Sequence, residues 1–163
     1  MKFLFRFVRA VLCHNLPSKF RVICAYLYGT ALSTDIRFGK NIYIEAPNKV
    51  YIGKGSTINS GVHIYTGICN DSKVVIGERV GIGLDSRIIT NSHIIDIPEQ
   101  RWGTNISESV VIEDGVWIGA NVTVLPGVTI SRGGVIAAGA VVTKSTEKNA
   151  LYAGVPAKKV RNL

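Results

Sequence analysis

An all-β fold built as a parallel solenoid is what this sequence predicts, on three observations. An aliphatic residue returns every six positions, a small or β-branched residue stands two places before it, and the segment is dense in Gly, Val, Ile and Thr. From Ile52 the series runs through Ile58, Ile64, Ile76, Ile82, Ile88, Ile94, Ile106, Ile112, Ile118, Val124, Ile130, Ile136 and Val142, broken at Asn70 and Gln100. Period six is not a multiple of the 3.6 residues of a helical turn, and the composition favours strands. Three short strands with turns between them make one triangular coil of eighteen residues, and stacked coils bury faces that no single repeat can bury alone.

The elements follow in chain order. Residues 1–30 are expected to form an N-terminal helical segment distinct from the solenoid of residues 31–163. On a helical wheel Phe3, Leu4, Phe7, Val8, Val11 and Leu12 share one face and Lys2, Arg6 and Arg9 another, which predicts a basic amphipathic helix. Its two readings are packing on protein and peripheral contact with an acidic membrane surface through residues 1–21. Arg6 and Arg9 interrupt the apolar run before it reaches the length of a secretory signal, and it is too short to span a bilayer. An early register passes through Ile36 and Ile42 and shifts before Val50 and Ile52; about six coils are expected from Ile36 to Thr143. The positions two before each aliphatic residue, such as Val50, Ser56, Val62, Val110, Gly134 and Ala140, are the second inward set. Gly53, Gly77, Gly83, Gly119 and Ala137, directly after it, are read as small residues that ease the turns. Pro98, Glu99, Gln100, Arg101 and Trp102 lose the repeat chemistry while the phase is kept, so residues 94–109 are expected to project as a loop.

Side chains one place before the interior aliphatic residue should face outward, because strand residues alternate. That position holds His63, His93 and Trp117. An outward Trp on a flat face should cover a ligand or a neighbouring subunit. His93 and Trp117 are twenty-four residues apart, which puts them on adjacent faces of the prism.

Charge and cysteine usage narrow the classes. The net charge of +8 gathers in Lys2 to Arg21, with five cations and no acid, and in Lys144 to Arg161, with five against Glu147. No nucleic-acid module accompanies it, so nucleic acid is not an expected partner and phosphorylated small molecules are. Cys13, Cys24 and Cys69 are odd in number and lack CxxC spacing, which fits a reducing, cytoplasmic setting.

The run VVIEDGVWIGANVTVLPGVTISRGGVIAAGAVVTKS, the later AGVPAKKVRNL and the upstream TNSH closely resemble the hexapeptide-repeat acetyltransferases that act on sugars, xenobiotics and surface polysaccharides. The resemblance covers about residues 36–163 and implies a left-handed coil, a homotrimer and acetyl-CoA as co-substrate, with no metal. It makes His93 the general base. The same resemblance implies Trp117 beside the pantetheine arm, Gly119, Ala120 and Ala138 along it, Thr143 and Lys144 near its far end, and Lys158 and Arg161, with Lys159 assisting, at the coenzyme phosphates. His63 falls near the acceptor side, and Asp96 and Arg101 in the expected loop are further acceptor candidates. The expected acceptor is a nucleotide-linked or lipid-linked sugar of a bacterial surface polysaccharide, handled in the cytoplasm or at the inner face of the membrane. An antibiotic hydroxyl is the alternative acceptor, and a non-catalytic scaffold the alternative class.

Chemically, an alcohol or amine attacking a thioester must lose its proton as the bond forms, and imidazole suits that task near neutral pH. Asp96 or a backbone carbonyl is expected to orient the other ring nitrogen. Cys69 is the candidate for a covalent acetyl-cysteine route. Zinc-dependent relatives of the solenoid need three histidines, whereas His14, the third here, lies outside the repeat.

Overall fold

Each six-residue unit folds into a strand of two or three residues followed by a tight corner, and the computed structural model describes this for residues 17–27, 29–67 and 72–163. The amphipathic pattern of residues 1–12, together with Cys13, His14, Cys69 and Asn70, lies outside the described residues. Successive strands fall on three flat faces. The first face stacks Ala31–Leu32, Val50–Ile52, Val74–Ile76, Val110–Ile112 and Thr129–Ile130 in parallel. On the second are Arg37–Phe38, Thr57–Ile58, Gly81–Ile82, Trp117–Ile118, Val135–Ile136 and Ala150–Ala153. The third carries Tyr43–Ile44, His63–Tyr65, Arg87–Ile89, Thr123–Val124 and Val141–Val142. The result is a parallel β-helix of five full coils and part of a sixth, beginning one strand before Ile36.

Both inward positions are filled as the periodicity requires. Ile52, Ile58, Ile64, Ile76, Ile82 and Ile88 are fully buried, and so are Val50, Val62, Val74, Val110 and Ala140 of the second set. Ser56 and Ser86 occupy that set too, and each reaches the next coil. Ser56 Oγ donates to Gly77 O at 2.8 Å and accepts from Val80 N; Ser86 Oγ donates to Gly119 O at 2.9 Å and accepts from Val122 N. In the first coil Phe38 and Ile44 hold the main aliphatic position, and Ile36 and Ile42 are the residues two before them.

The glycines after the aliphatic residue have a different cause from the one expected. They are not at positive φ; instead, a Cβ on Gly53 would come within 2.5 Å of Gly77 carbon, and one on Gly119 within 2.6 Å of Ala138 nitrogen. Close stacking of coils demands them. The left-handed corner residue comes two positions later, as Asp35, Asn41, Gly55, Gly61, Asp85, Gly115, Asn121 and Gly133.

Coil length is uneven. Partner residues on the first face step by twenty from Leu32 to Ile52, twenty-four to Ile76, thirty-six to Ile112 and eighteen to Ile130. All the excess falls at the corner between the third and first faces. The last insertion is an antiparallel hairpin, Asn91–Ile95 paired with Trp102–Ser107. Ile94 and Ile106, which continue the hexad series by phase, therefore belong to the hairpin and not to the core; Ile94 is half exposed.

Both ends of the second face are covered. A helix, α1 (Ser18–Leu27), packs Val22 and Ala25 on the core and ends at Gly29, whose φ is +96°. Arg21 donates to Phe38 O at 2.8 Å, and Ser18 Oγ accepts from Phe38 N at 3.2 Å, so side chains cap Phe38 on the outer edge of strand Arg37–Phe38. At the other end Lys158–Asn162 adds an antiparallel strand to Ala150–Ala153. No helix among the described residues is long and apolar enough to cross a membrane.

Candidate active site

The hairpin, and not a flat face, carries His93. Its residue pairs are Asn91 with Ser107, Ser92 with Ile106 and His93 with Asn105, after which a bulge intervenes before Ile95 pairs with Trp102. The imidazole is partly buried against the opposite leg: Nδ1 lies 3.0 Å from Gly103 O, and the ring meets Trp102 edge to face, centroids 5.5 Å apart. A carbonyl can only accept, so Nδ1 carries the proton and Nε2 is left with the basic lone pair in the neutral ring. The orienting group is thus the Gly103 carbonyl. Asp96 does not fill that role, since its Oδ1 accepts from Ile97 N at 2.8 Å and its backbone oxygen accepts from Arg101 Nη1 at 3.1 Å. Asp96 and Arg101 together brace the hairpin turn.

Gly103 and Trp102 are the contacts that the sequence did not reveal. A backbone carbonyl is offered by every residue type, so no side-chain pattern marks it. Gly103 does have a local reason to be glycine: a Cβ there would lie 2.8 Å from Asp96 Oδ2.

Trp117 is 61% exposed, which bears out its outward position, and it lies over Gly81 of the neighbouring coil, the nearest indole atom being 3.6 Å from where a Cβ would stand. The register carries this row onward. Trp117 pairs with Val135, Val135 with Leu151, and Leu151 with Arg161. Three strand spacings separate Trp117 from Arg161, about 14 Å along one face. Lys158 pairs with Ala153 on the same strand, and both cations are exposed. Lys159 differs from them: its Nζ is 2.6 Å from Glu147 Oε2.

The remaining candidates divide between two edges of the prism. Gly119, Ala120 and Ala138 line the corner between the second and third faces. Thr143 and Lys144 are exposed at the corner between the third and first, the same edge from which the His93 hairpin departs. In a triangular section that edge is opposite the second face. Trp117, Lys158 and Arg161 lie on that second face, so the expectation that His93 and Trp117 share adjacent faces gives way to an edge and the face opposite it within one chain.

His63 is outward on the third face and meets Tyr43 of the neighbouring coil edge to face, with centroids 5.7 Å apart. Its Nδ1 lies 3.0 Å from the Tyr65 hydroxyl. Arg87 follows in the same row. Among the described residues no three His, Cys, Asp or Glu side chains gather as metal ligands would.

Comparison with known proteins agrees with this architecture. Residues 109–144 match the family described as bacterial transferase hexapeptide (six repeats). The chain is 35% identical over 129 residues to galactoside O-acetyltransferase of Escherichia coli K12, covering 77% of this chain and 63% of that protein. It spans 64% and 44% of two fungal relatives, so less than two-thirds of each of these three curated proteins is matched. Over 88% of its length it is 29% identical to an E. coli K12 protein, WcaF, assigned provisionally as a colanic acid biosynthesis acetyltransferase, of which 75% is covered. The hexapeptide-repeat acetyltransferase VCA0836 of Vibrio cholerae, solved with acetyl coenzyme A, superposes with a TM-score of 0.82 at 29% identity, covering 95% of this chain and 83% of that one.

Proposed function

We propose that the chain is a hexapeptide-repeat acetyltransferase of left-handed parallel β-helix type, and that it moves the acetyl group of acetyl-CoA to a hydroxyl or amino group of a sugar. The observation that carries the reading is the fixed imidazole of His93, with Nδ1–H held by Gly103 O and Nε2 free to take a proton. As the acceptor oxygen or nitrogen bonds to the thioester carbonyl, Nε2 removes its proton, and collapse of the tetrahedral adduct releases the CoA thiolate, which leaves with a proton. The row from Trp117 to Arg161 supports the coenzyme assignment. An indole face suits the pantetheine arm, and Lys158 and Arg161 about 14 Å away suit its phosphates.

The two edges that hold the candidate residues favour a homotrimer with its clefts between subunits. His63, flanked by Tyr43 and Tyr65, and Asp96 and Arg101 on the hairpin are read as the acceptor side. Similarity to WcaF over most of the chain supports a surface-polysaccharide sugar, nucleotide-linked or lipid-linked, as the acceptor. That chemistry belongs in the cytoplasm or at the inner membrane face, and Phe20 and Ile23, exposed on α1 within an acid-free basic stretch, are consistent with peripheral contact there.

The test is free-thiol release from acetyl-CoA with a panel of nucleotide-sugars, wild type beside His93→Ala. Turnover that falls about 10²- to 10⁴-fold in the mutant is expected. Coenzyme binding without turnover on any sugar would redirect the acceptor toward an antibiotic hydroxyl, and absence of coenzyme binding would leave only a scaffold.

A further inference from the structure

Beneath the hairpin the aliphatic interior gives way to hydroxyls. Thr66 and Thr90 are fully buried at the corner after the third-face strands of the second and third coils, and Ser72 between them is 6% exposed. Ser72 Oγ donates to Thr66 O at 3.1 Å, which uses its one proton. Its two remaining partners must then donate to it: the Thr90 hydroxyl at 3.1 Å and the Ser107 hydroxyl in close contact. Thr66 Oγ1 accepts in turn from Ala46 N at 3.1 Å. The polarity of the whole cluster is fixed by this chain of donors.

Its position is what gives it meaning. Thr90 directly precedes the first leg of the hairpin and Ser107 closes the second, so Ser72 holds both legs at their base, where Asn91 pairs with Ser107. The backbone repeats the clasp, with Thr90 N donating to Tyr65 O at 2.9 Å and Glu108 N donating to Thr90 O at 2.8 Å. Most other interior positions hold Val or Ile, which stabilise a coil without directional demands, and the interior Ser56 and Ser86 each bond to backbone alone. Hydroxyls that satisfy one another instead impose one geometry, at the cost of leaving a partner unpaired if any is lost.

We propose that Ser72, Thr90 and Ser107 are positioning residues: their hydroxyl cluster fixes the angle at which the hairpin presents His93 and so maintains its Nδ1–H to Gly103 O bond. The inference rests on the reading of His93 as base, but its geometric half can be tested alone. In the full-length protein, Thr90→Val and Ser107→Ala are compared with wild type for kcat and KM of acetyl-CoA. The His93 ring tautomer is read in parallel by ¹⁵N and ¹³C NMR without substrate, its signals assigned by their loss in His93→Ala. A displaced base is expected to lower kcat about 10- to 100-fold, with KM changed less than about twofold. The NMR should report a mixed tautomer, and Thr90→Ser should restore both readouts. Folded variants with wild-type kcat and an unchanged Nδ1–H tautomer would overturn the proposal, as would a loss of activity that Thr90→Ser fails to rescue. Should Thr90→Val not fold, Ser107→Ala, at the half-buried end of the cluster, decides the matter by the same readouts. Failure of the underlying reading looks different: His93→Ala would turn over like wild type while the tautomer still responded to the clasp.

Discussion

Gly119 and Gly115 are neighbours in one coil, yet replacing them by alanine probes different physics. At Gly119 an added methyl meets Ala138 nitrogen at 2.6 Å and Ile136 oxygen at 3.0 Å, so two coils must separate. Gly119→Ala is expected to cost about 1–3 kcal/mol, seen as a lowered midpoint in urea. Gly115 has φ +69° and nothing within 4 Å of its would-be Cβ, so Gly115→Ala should cost about 1 kcal/mol from backbone conformation alone. Gly115→Asn should cost less, since Asn121 already fills the equivalent corner. Equal losses at both sites would contradict this division. Single residues were the hardest scale to read in advance. Composition marked small residues after the aliphatic position, but whether smallness served a turn or a stacking contact depends on the coil above, which no local pattern contains. The same holds for Gly103, whose functional atom is a carbonyl.

At the scale of elements, the strands were legible because each hexad repeats one environment, and burial of Val50, Ser56 and Ile52 alike follows from position in the repeat. The hairpin was half legible. Its polar and aromatic residues signalled that residues 94–109 project from the coil, but the insertion is eighteen residues long, a multiple of six, so Ile94 and Ile106 stayed in phase and the antiparallel pairing left no mark on the period. His93 gained its outward assignment from that same accident of phase, while its real setting is a ladder pair with Asn105. The strand Lys158–Asn162 offers a test at this scale. Lys158 and Arg161 are exposed on it, and Lys159 is tied to Glu147. Lys158→Ala should raise KM for acetyl-CoA severalfold, about 1 kcal/mol for one phosphate contact at an exposed site, with a smaller effect for acetyl-dephospho-CoA. Steady-state kinetics with both coenzymes would refute a 3′-phosphate contact if the two rose equally.

For the whole molecule, the opposition of the His93 edge and the Trp117 face leads to a mixing experiment. His93→Ala and Trp117→Ala chains, each inactive or weak alone, should regain up to about a quarter of wild-type turnover when refolded together, because one cleft in four draws both intact residues from different subunits. No recovery, or an active monomer on dilution, would place the site within one chain. A threefold arrangement is implied by the resemblance and not by the residues themselves, since an outward Trp suggests a covered surface without naming its cover. The sealed ends of the second face have a separate consequence. A parallel solenoid is an unfinished stack, and every exposed terminal strand is a template on which an identical molecule can continue the ladder. Here Arg21 and Ser18 occupy the polar groups of Phe38 at one end, and a cationic antiparallel strand, reversed in direction, closes the other. Chains lacking residues 154–163 should accordingly grow end to end into filaments, visible as rising light scattering at concentrations where the intact protein stays dispersed. On that expectation, what keeps one molecule from continuing another is a few residues that refuse the next coil.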